Sequence, residues 1–282
     1  MTARPRARRR RRPRAPSVAA AAALALLVLA GLLAPALAPY DPARQLDILA
    51  LQNRPPSAAH PFGTDPYARD VLSRTLHAAR TSLGVAALGD AVATVLGTAW
   101  GATAAAAGGR AERVLMRLVD VALGVPRVLV LLAVVALWGN VPPPALALLL
   151  GLSAWPGTSR LVRARVSQLR AAEFVTAARA LGASPVRVLA RHVPPHLAGT
   201  VSVAATLLFA ELLALEAGLS FLGLGVRPPQ ASWGSMVQDG APYLLDAWWT
   251  AAFPTLGVVA SVLSAAVLGD ALADRARRGP GA

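Results

Sequence analysis

Apolar residues gather in six runs, at positions 18–37, 82–107, 114–137, 145–162, 201–224 and 249–272. Each reaches the ~17–25 residues a helix needs to cross a ~30 Å hydrocarbon core. The pattern predicts an all-α integral membrane protein with six transmembrane helices. It divides the chain into a basic tail (1–17), a first anchor helix (18–37), an external loop (38–79), a five-helix core (80–272) and a second tail (273–282). Within the core, residues 163–200 form the one long connection. At 38 residues it far exceeds the ~2–8 usual between packed helices.

Composition agrees with burial in lipid. Only 15% of residues are charged, against ~25% in an average soluble domain, and the mean hydropathy is +0.52. There is no cysteine, which excludes disulfides and thiolate metal sites. All 28 basic residues are arginine. A nucleotide-binding P-loop requires a lysine on the β/γ-phosphates, so the chain is not its own conventional ATPase.

Arginine also sets the orientation, because loops kept in the cytoplasm collect basic residues beside the membrane. With the N-terminus inside, 21 arginines fall on the cytoplasmic side and six outside, and Arg127 lies within the third crossing. Both termini are therefore expected in the cytoplasm. The first run follows Arg8 to Arg12 as a signal peptide would, but its ~20 apolar residues exceed the ~7–15 of a secretory segment, which favours an uncleaved anchor over cleavage near Ala36 or Ala38. The net charge of +14 lies beside crossings without interleaved aromatics. Membrane lipid headgroups, not nucleic acid, are its expected partner.

The long loop carries its own pattern. Glu173 opens a stripe of Phe174, Ala177, Ala178 and Leu181, at i, i+3, i+4 and i+7. Gly182 stands at the C-cap, and Ser184 with Pro185 starts a second short helix that Pro194 and Pro195 are expected to end. The small residues at the bend, Ala177, Ala178, Gly182, Ala183 and Ser184, would let a partner's backbone come close. A helix pair lying in the headgroups would show the same pattern.

Glu173-Phe-Val-Thr-Ala-Ala-Arg-Ala-Leu-Gly182, followed by Arg191-His192 and Pro194, resembles the EAA loop of bacterial ABC import permeases. His60-Pro-Phe-Gly-Thr-Asp65, Arg69-Asp70-Val-Leu-Ser-Arg74 and Ala79-Arg-Thr-Ser-Leu83 are similar to the segment entering the second crossing of DppC/OppC-type permeases for dipeptides, oligopeptides and nickel. Glu216 to Gly225, Pro228-Pro229, Ser232-Trp233-Gly234 and Leu268-Gly-Asp270 resemble that family's outer loop and last crossing. Ala68 stands where these permeases usually have glycine, and His196 where asparagine is common.

The resemblance implies the type I ABC importer permease fold in a bacterial cell membrane, with a second homologous permease, two ATP-binding ATPase subunits and an extracytoplasmic substrate-binding protein as partners. ATP would be used by the partner subunits, with no cofactor on this chain. Glu173, Phe174, Ala177, Ala178, Leu181, Gly182, Ala183 and Ser184 would contact the ATPase as a coupling helix. Ser232, Trp233 and Gly234 would meet the binding protein. The substrate would be a peptide, nickel or a similar small solute.

A carboxylate at the centre of a crossing costs roughly 2.5–3.5 kcal/mol, so Asp90, Glu211 and Glu216 are candidates for the substrate path, and Asp120 is expected to pair with Arg117. Trp248 and Trp249 suggest interfacial anchors. Two other classes compete. A secondary transporter would predict inverted repeats, which the sequence does not display. A membrane-embedded enzyme would need a motif such as H-E-x-x-H or G-x-S-x-G, and His60, His77, His192 and His196 supply neither.

Overall fold

Five of the six apolar runs become single long helices, and the remaining one is broken. The computed structural model describes residues 15–173, 175 and 194–278. Among them there is no strand, only an isolated bridge between Thr64 and Asp70. The elements are α1 (Ala15–Leu32), its short continuation α2 (Ala34–Leu37), α3 (Ile48–Leu51), α4 (Val71–Ala107), α5 (Gly109–Gly124), α6 (Arg127–Trp138), α7 (Pro143–Arg170), α8 (Pro194–Phe221), α9 (Trp233–Gly240) and α10 (Trp249–Arg278).

Polar termini extend the helices past the apolar runs. Helix α4 starts eleven residues before the run at 82, because the Asp70 side chain accepts from the Ser73 backbone N–H at 2.8 Å and caps it there. Hydropathy registers lipid contact, whereas the cap registers the helix. Pro194 and Pro195 open α8; the helix they were expected to end lies outside the described residues. Proline fits a first turn because the N–H it lacks has no intrahelical partner there. Helix α8 stops at Phe221, short of the expected Leu224. There the Leu224 N–H bonds to Leu219 O (3.0 Å) and the Gly223 N–H to Ser220 O (3.0 Å), with Gly223 at φ +76. This double bond pattern around a left-handed glycine is a Schellman end.

The largest correction concerns the run at 114–137. It is two helices, α5 and α6, bent by 71° across Val125 and Pro126. Proline cannot donate to the ladder and restricts the residue before it, so the break falls there.

The core is a parallel seam between α4 and α7, made close by small residues. A Cβ added to Gly151 would lie 2.6 Å from Gly89 O, one at Gly97 2.7 Å from Trp155 O, and one at Gly101 2.3 Å from Ser159 O. Such spacing lets two backbones touch in a medium where lipid gives no hydrophobic drive for association. Helices α8 and α10 pack on this pair, and α9 is wedged between α4, α8 and α10. Helix α1 lies outside against α4 and α10, with only Ala20 and Gly31 buried. A smaller cluster of Ala105, Val162, Val166, Leu169, Val175 and Leu197 closes the opposite end, where α7 finishes and α8 begins.

Candidate functional site

At the end of the bundle where α4 begins, the segment from His60 to Arg74 folds into a buried charge network. The Asp65 carboxylate accepts from the Arg69 Nε at 2.7 Å and also from Arg74, and both arginines reach Asp239 on α9, at 3.0 and 3.2 Å. His60 Nδ1 lies 2.9 Å from Asp70, whose other oxygen accepts from the Ser73 hydroxyl at 2.7 Å. The indole of Trp249 donates to Thr64 O at 3.0 Å, so Trp249 is a buried clasp and only its neighbour Trp248 keeps the exposure of an interfacial anchor. This network fastens the loop that precedes α4 onto α4, α9 and α10.

Ala68 lies inside this loop, fully buried, with φ +55. A left-handed backbone costs a residue with a Cβ roughly 1–2 kcal/mol, which is the physical reason for glycine at this place in the resembling permeases. Ala68→Gly is expected to stabilise the subunit by about 1 kcal/mol, read as a raised thermal midpoint of the purified protein. An unchanged or lowered midpoint would contradict the strain argument.

Ser232, Trp233 and Gly234 were expected at the surface as contacts for a binding protein. The structure buries all three side by side at the start of α9. The Ser232 hydroxyl accepts from the Ser235 N–H in a capping box. The Trp233 indole donates to Thr75 O at 3.1 Å, and its backbone N–H to the Ser82 hydroxyl at 3.1 Å. A Cβ on Gly234 would lie 2.2 Å from Ala217 O. They hold α9 in place.

The break between α5 and α6 opens on a cleft of about 610 Å³, whose wall includes Val125, Arg127, Ser153, Gly157, Thr158 and Glu211. Arg127 Nη2 and Glu211 Oε1 meet across it at 2.5 Å, with the side chains 25% and 58% exposed. Glu211 lies ten residues before the end of α8, or ~15 Å along the axis, about half the thickness of a ~30 Å core. Two more ion pairs continue from this cleft towards the arginine-rich end. Asp120 pairs with Arg160 at 2.5 Å, not with Arg117 as expected, and Glu112 pairs with Arg163 at 2.5 Å. They border a second hollow of about 430 Å³.

The three carboxylates expected on a path are not brought together. Glu216 is fully buried. Its Oε1 accepts from the Ser220 hydroxyl at 2.7 Å, while the hydroxyls of Ser82 and Ser232 face the same carboxyl. Asp90 is half-buried and accepts from the Thr94 hydroxyl at 3.2 Å on its own helix. Only Glu211 lines the cleft. Sequence reading missed Arg127 as its partner, although an arginine inside an apolar run directly after a proline was the available signal.

Of the expected coupling helix, Glu173 is described and exposed, and Val175 beside it is buried in the cluster with Val162, Val166 and Leu197. Phe174, Ala177, Ala178, Leu181, Gly182, Ala183 and Ser184 lie outside the described residues. So does His192. Among the described residues, no group of three or more histidine or acidic side chains is placed to hold a metal ion.

Residues 95–278 match the family described as binding-protein-dependent transport system inner membrane component. The chain is 36% identical over 252 residues to the dipeptide transport system permease protein DppC of Bacillus subtilis (strain 168), covering 88% of this chain and 77% of that protein. It is 40% identical over 250 residues to a putative peptide permease protein of Brucella suis biovar 1 (strain 1330), covering 88% and 82%. A putative peptide transport system permease protein of the same organism is 37% identical over 250 residues, with the same coverage. With its broken third crossing, its polar cleft at mid-depth and these similarities, the chain belongs to the family of inner membrane components of binding-protein-dependent transport systems, as a permease of the DppC/OppC type.

Proposed function

We propose that this permease forms one half of a path for peptides, the other half being a second, homologous but non-identical permease. Two ATPase subunits dock on the loop 163–200 and use the ATP. An extracytoplasmic binding protein delivers the substrate. The cleft at the α5–α6 break carries this reading. Irregular backbone at membrane depth is tolerated only where it is buried in protein or lines a water-filled cavity, and here it borders an exposed Glu211. The peptide transport named for the relatives supports the choice of substrate.

The coupling role of the loop rests on its pattern and on where it is rooted. Val175, five residues past the end of α7 at Arg170, packs among Ala105, Val162 and Leu197, which belong to α4, α7 and α8. A push on the loop therefore reaches three crossings through one cluster. Gly182→Asp places a charged, bulkier side chain at the bend that the sequence pattern predicts, outside every apolar run. ATPase subunits are expected to co-purify with the wild-type chain and to be lost from the stably inserted variant. Retention of the ATPases by the variant would remove the loop from the interface, and their absence from the wild type under mild detergent would count against the whole assembly.

A further inference from the structure

Arg127 and Glu211 offer a site of a particular charge type. Both side chains open on the cleft at mid-depth, and more than half of Glu211 is exposed. An exposed charge at that depth cannot face hydrocarbon without a cost of roughly 2.5–3.5 kcal/mol, so this wall looks onto water, solute or polar protein. The remaining wall is small or uncharged, with Ser153, Ala154, Gly157, Thr158 and Ala204. Among the described residues, no charged side chain besides Arg127 and Glu211 lines this cleft. Its formal charge is zero, one base and one acid.

The pair is joined by a single bond, from Arg127 Nη2 to Glu211 Oε1. A guanidinium carries five N–H donors and a carboxylate two acceptor oxygens, so each keeps capacity for a solute while bonded to the other. We infer that Arg127 and Glu211 act together as a charge-compensated exchange site that selects solutes with both a free ammonium and a free carboxylate, an inference that rests on the peptide-permease reading above. The solute carboxylate takes a fork of Arg127 N–H groups while its ammonium takes Glu211. When both ends exchange, no charge is left unpaired at mid-depth. A solute carrying only a cation or only an anion leaves Arg127 or Glu211 without a partner charge in a cleft at mid-depth, where an uncompensated charge is costlier than in bulk water.

The test uses the complete transporter, with its second permease, ATPases and binding protein, in liposomes. Uptake of dialanine with free ends is compared with N-acetylated and C-amidated dialanine, each variant being normalised to wild type so that selection by the binding protein cancels. Arg127→Gln leaves the carboxylate and is expected to shift preference about tenfold or more towards the C-amidated cation. Glu211→Gln leaves the guanidinium and is expected to shift it as far towards the N-acetylated anion. A purely structural ion pair would lower all three uptakes alike.

Equal loss for the three peptides, or an unchanged order of preference in both variants, overturns the inference and leaves the permease reading standing. Absence of ATP-dependent uptake of any of the three by wild type overturns that reading itself. Where a neutral variant fails to assemble, Arg127→Glu combined with Glu211→Arg keeps the site neutral and is read on the same peptides. It must keep the wild-type order, and a swapped pair that prefers a capped peptide overturns the inference.

Discussion

Asp65→Asn is expected to destabilise the subunit by about 3–5 kcal/mol, the usual cost of removing one partner from a buried ion pair. Asp65 is 3% exposed and Arg74 4%. The carboxylate accepts from the backbone N–H groups of Tyr67 and Arg69, both at 2.9 Å, and from both arginine side chains. Asparagine keeps the shape and one acceptor oxygen but leaves two guanidinium groups to share Asp239, which is itself 28% exposed. The check is chemical denaturation of the purified complex. Arg74→Met alone should also destabilise, and the double variant should lose less than the sum of the two single losses, because the residues touch. A single-variant loss below about 1 kcal/mol would show the network to be ornamental to stability.

Gly101→Leu is expected to have an effect of similar size for a different reason. Even a Cβ at this position would stand 2.3 Å from Ser159 O and 3.0 Å from Arg163 N, so the two helices must separate to admit it. Overpacking costs ~1–3 kcal/mol where side chains can yield, and more where the obstacle is backbone. Separation would also pull α7 away from the α5 pairs that Arg160 and Arg163 make. Gly84→Ala is the control, since nothing lies within 4 Å of its Cβ. That change should be neutral or gain the ~1 kcal/mol by which alanine exceeds glycine in a helix. Equal stability of the Gly101 and Gly84 variants in detergent would refute the seam.

These residues also mark where sequence reasoning reached and where it stopped. The crossings were legible because lipid imposes one rule on every helix, a long apolar surface, and that rule is local in sequence. Helix ends were less so. Asp70 and Pro194 set them through backbone hydrogen bonding, to which hydropathy is blind. The bend at Pro126 was written in one residue and was outvoted by the apolar run around it.

Partnerships across the bundle were not legible. Asp120 had Arg117 three residues away, yet it pairs with Arg160 forty residues on, because α7 lies beside α5. Trp233 looked like a loop aromatic ready for a partner. It is instead buried against Ser82, 151 residues away in sequence. In the candidate site, Glu211 was visible as a charge in an apolar run, while Arg127 acquired meaning only when the break aimed it at the same cleft.

The clasp that joins the start of α4 to α9 also imposes an order of events on biogenesis. Arg69 and Arg74 find Asp239 only across 170 and 165 residues of chain. At ~5–20 residues per second of synthesis, the ribosome needs about ten to thirty seconds to supply that aspartate. Through that interval the second crossing is in place while its outer cap lacks its last carboxylate. The nascent subunit therefore passes through a loosely capped form, open at one end to proteases and quality control. It closes only when α9 arrives, and any truncation upstream of Asp239 would leave it permanently in that vulnerable form.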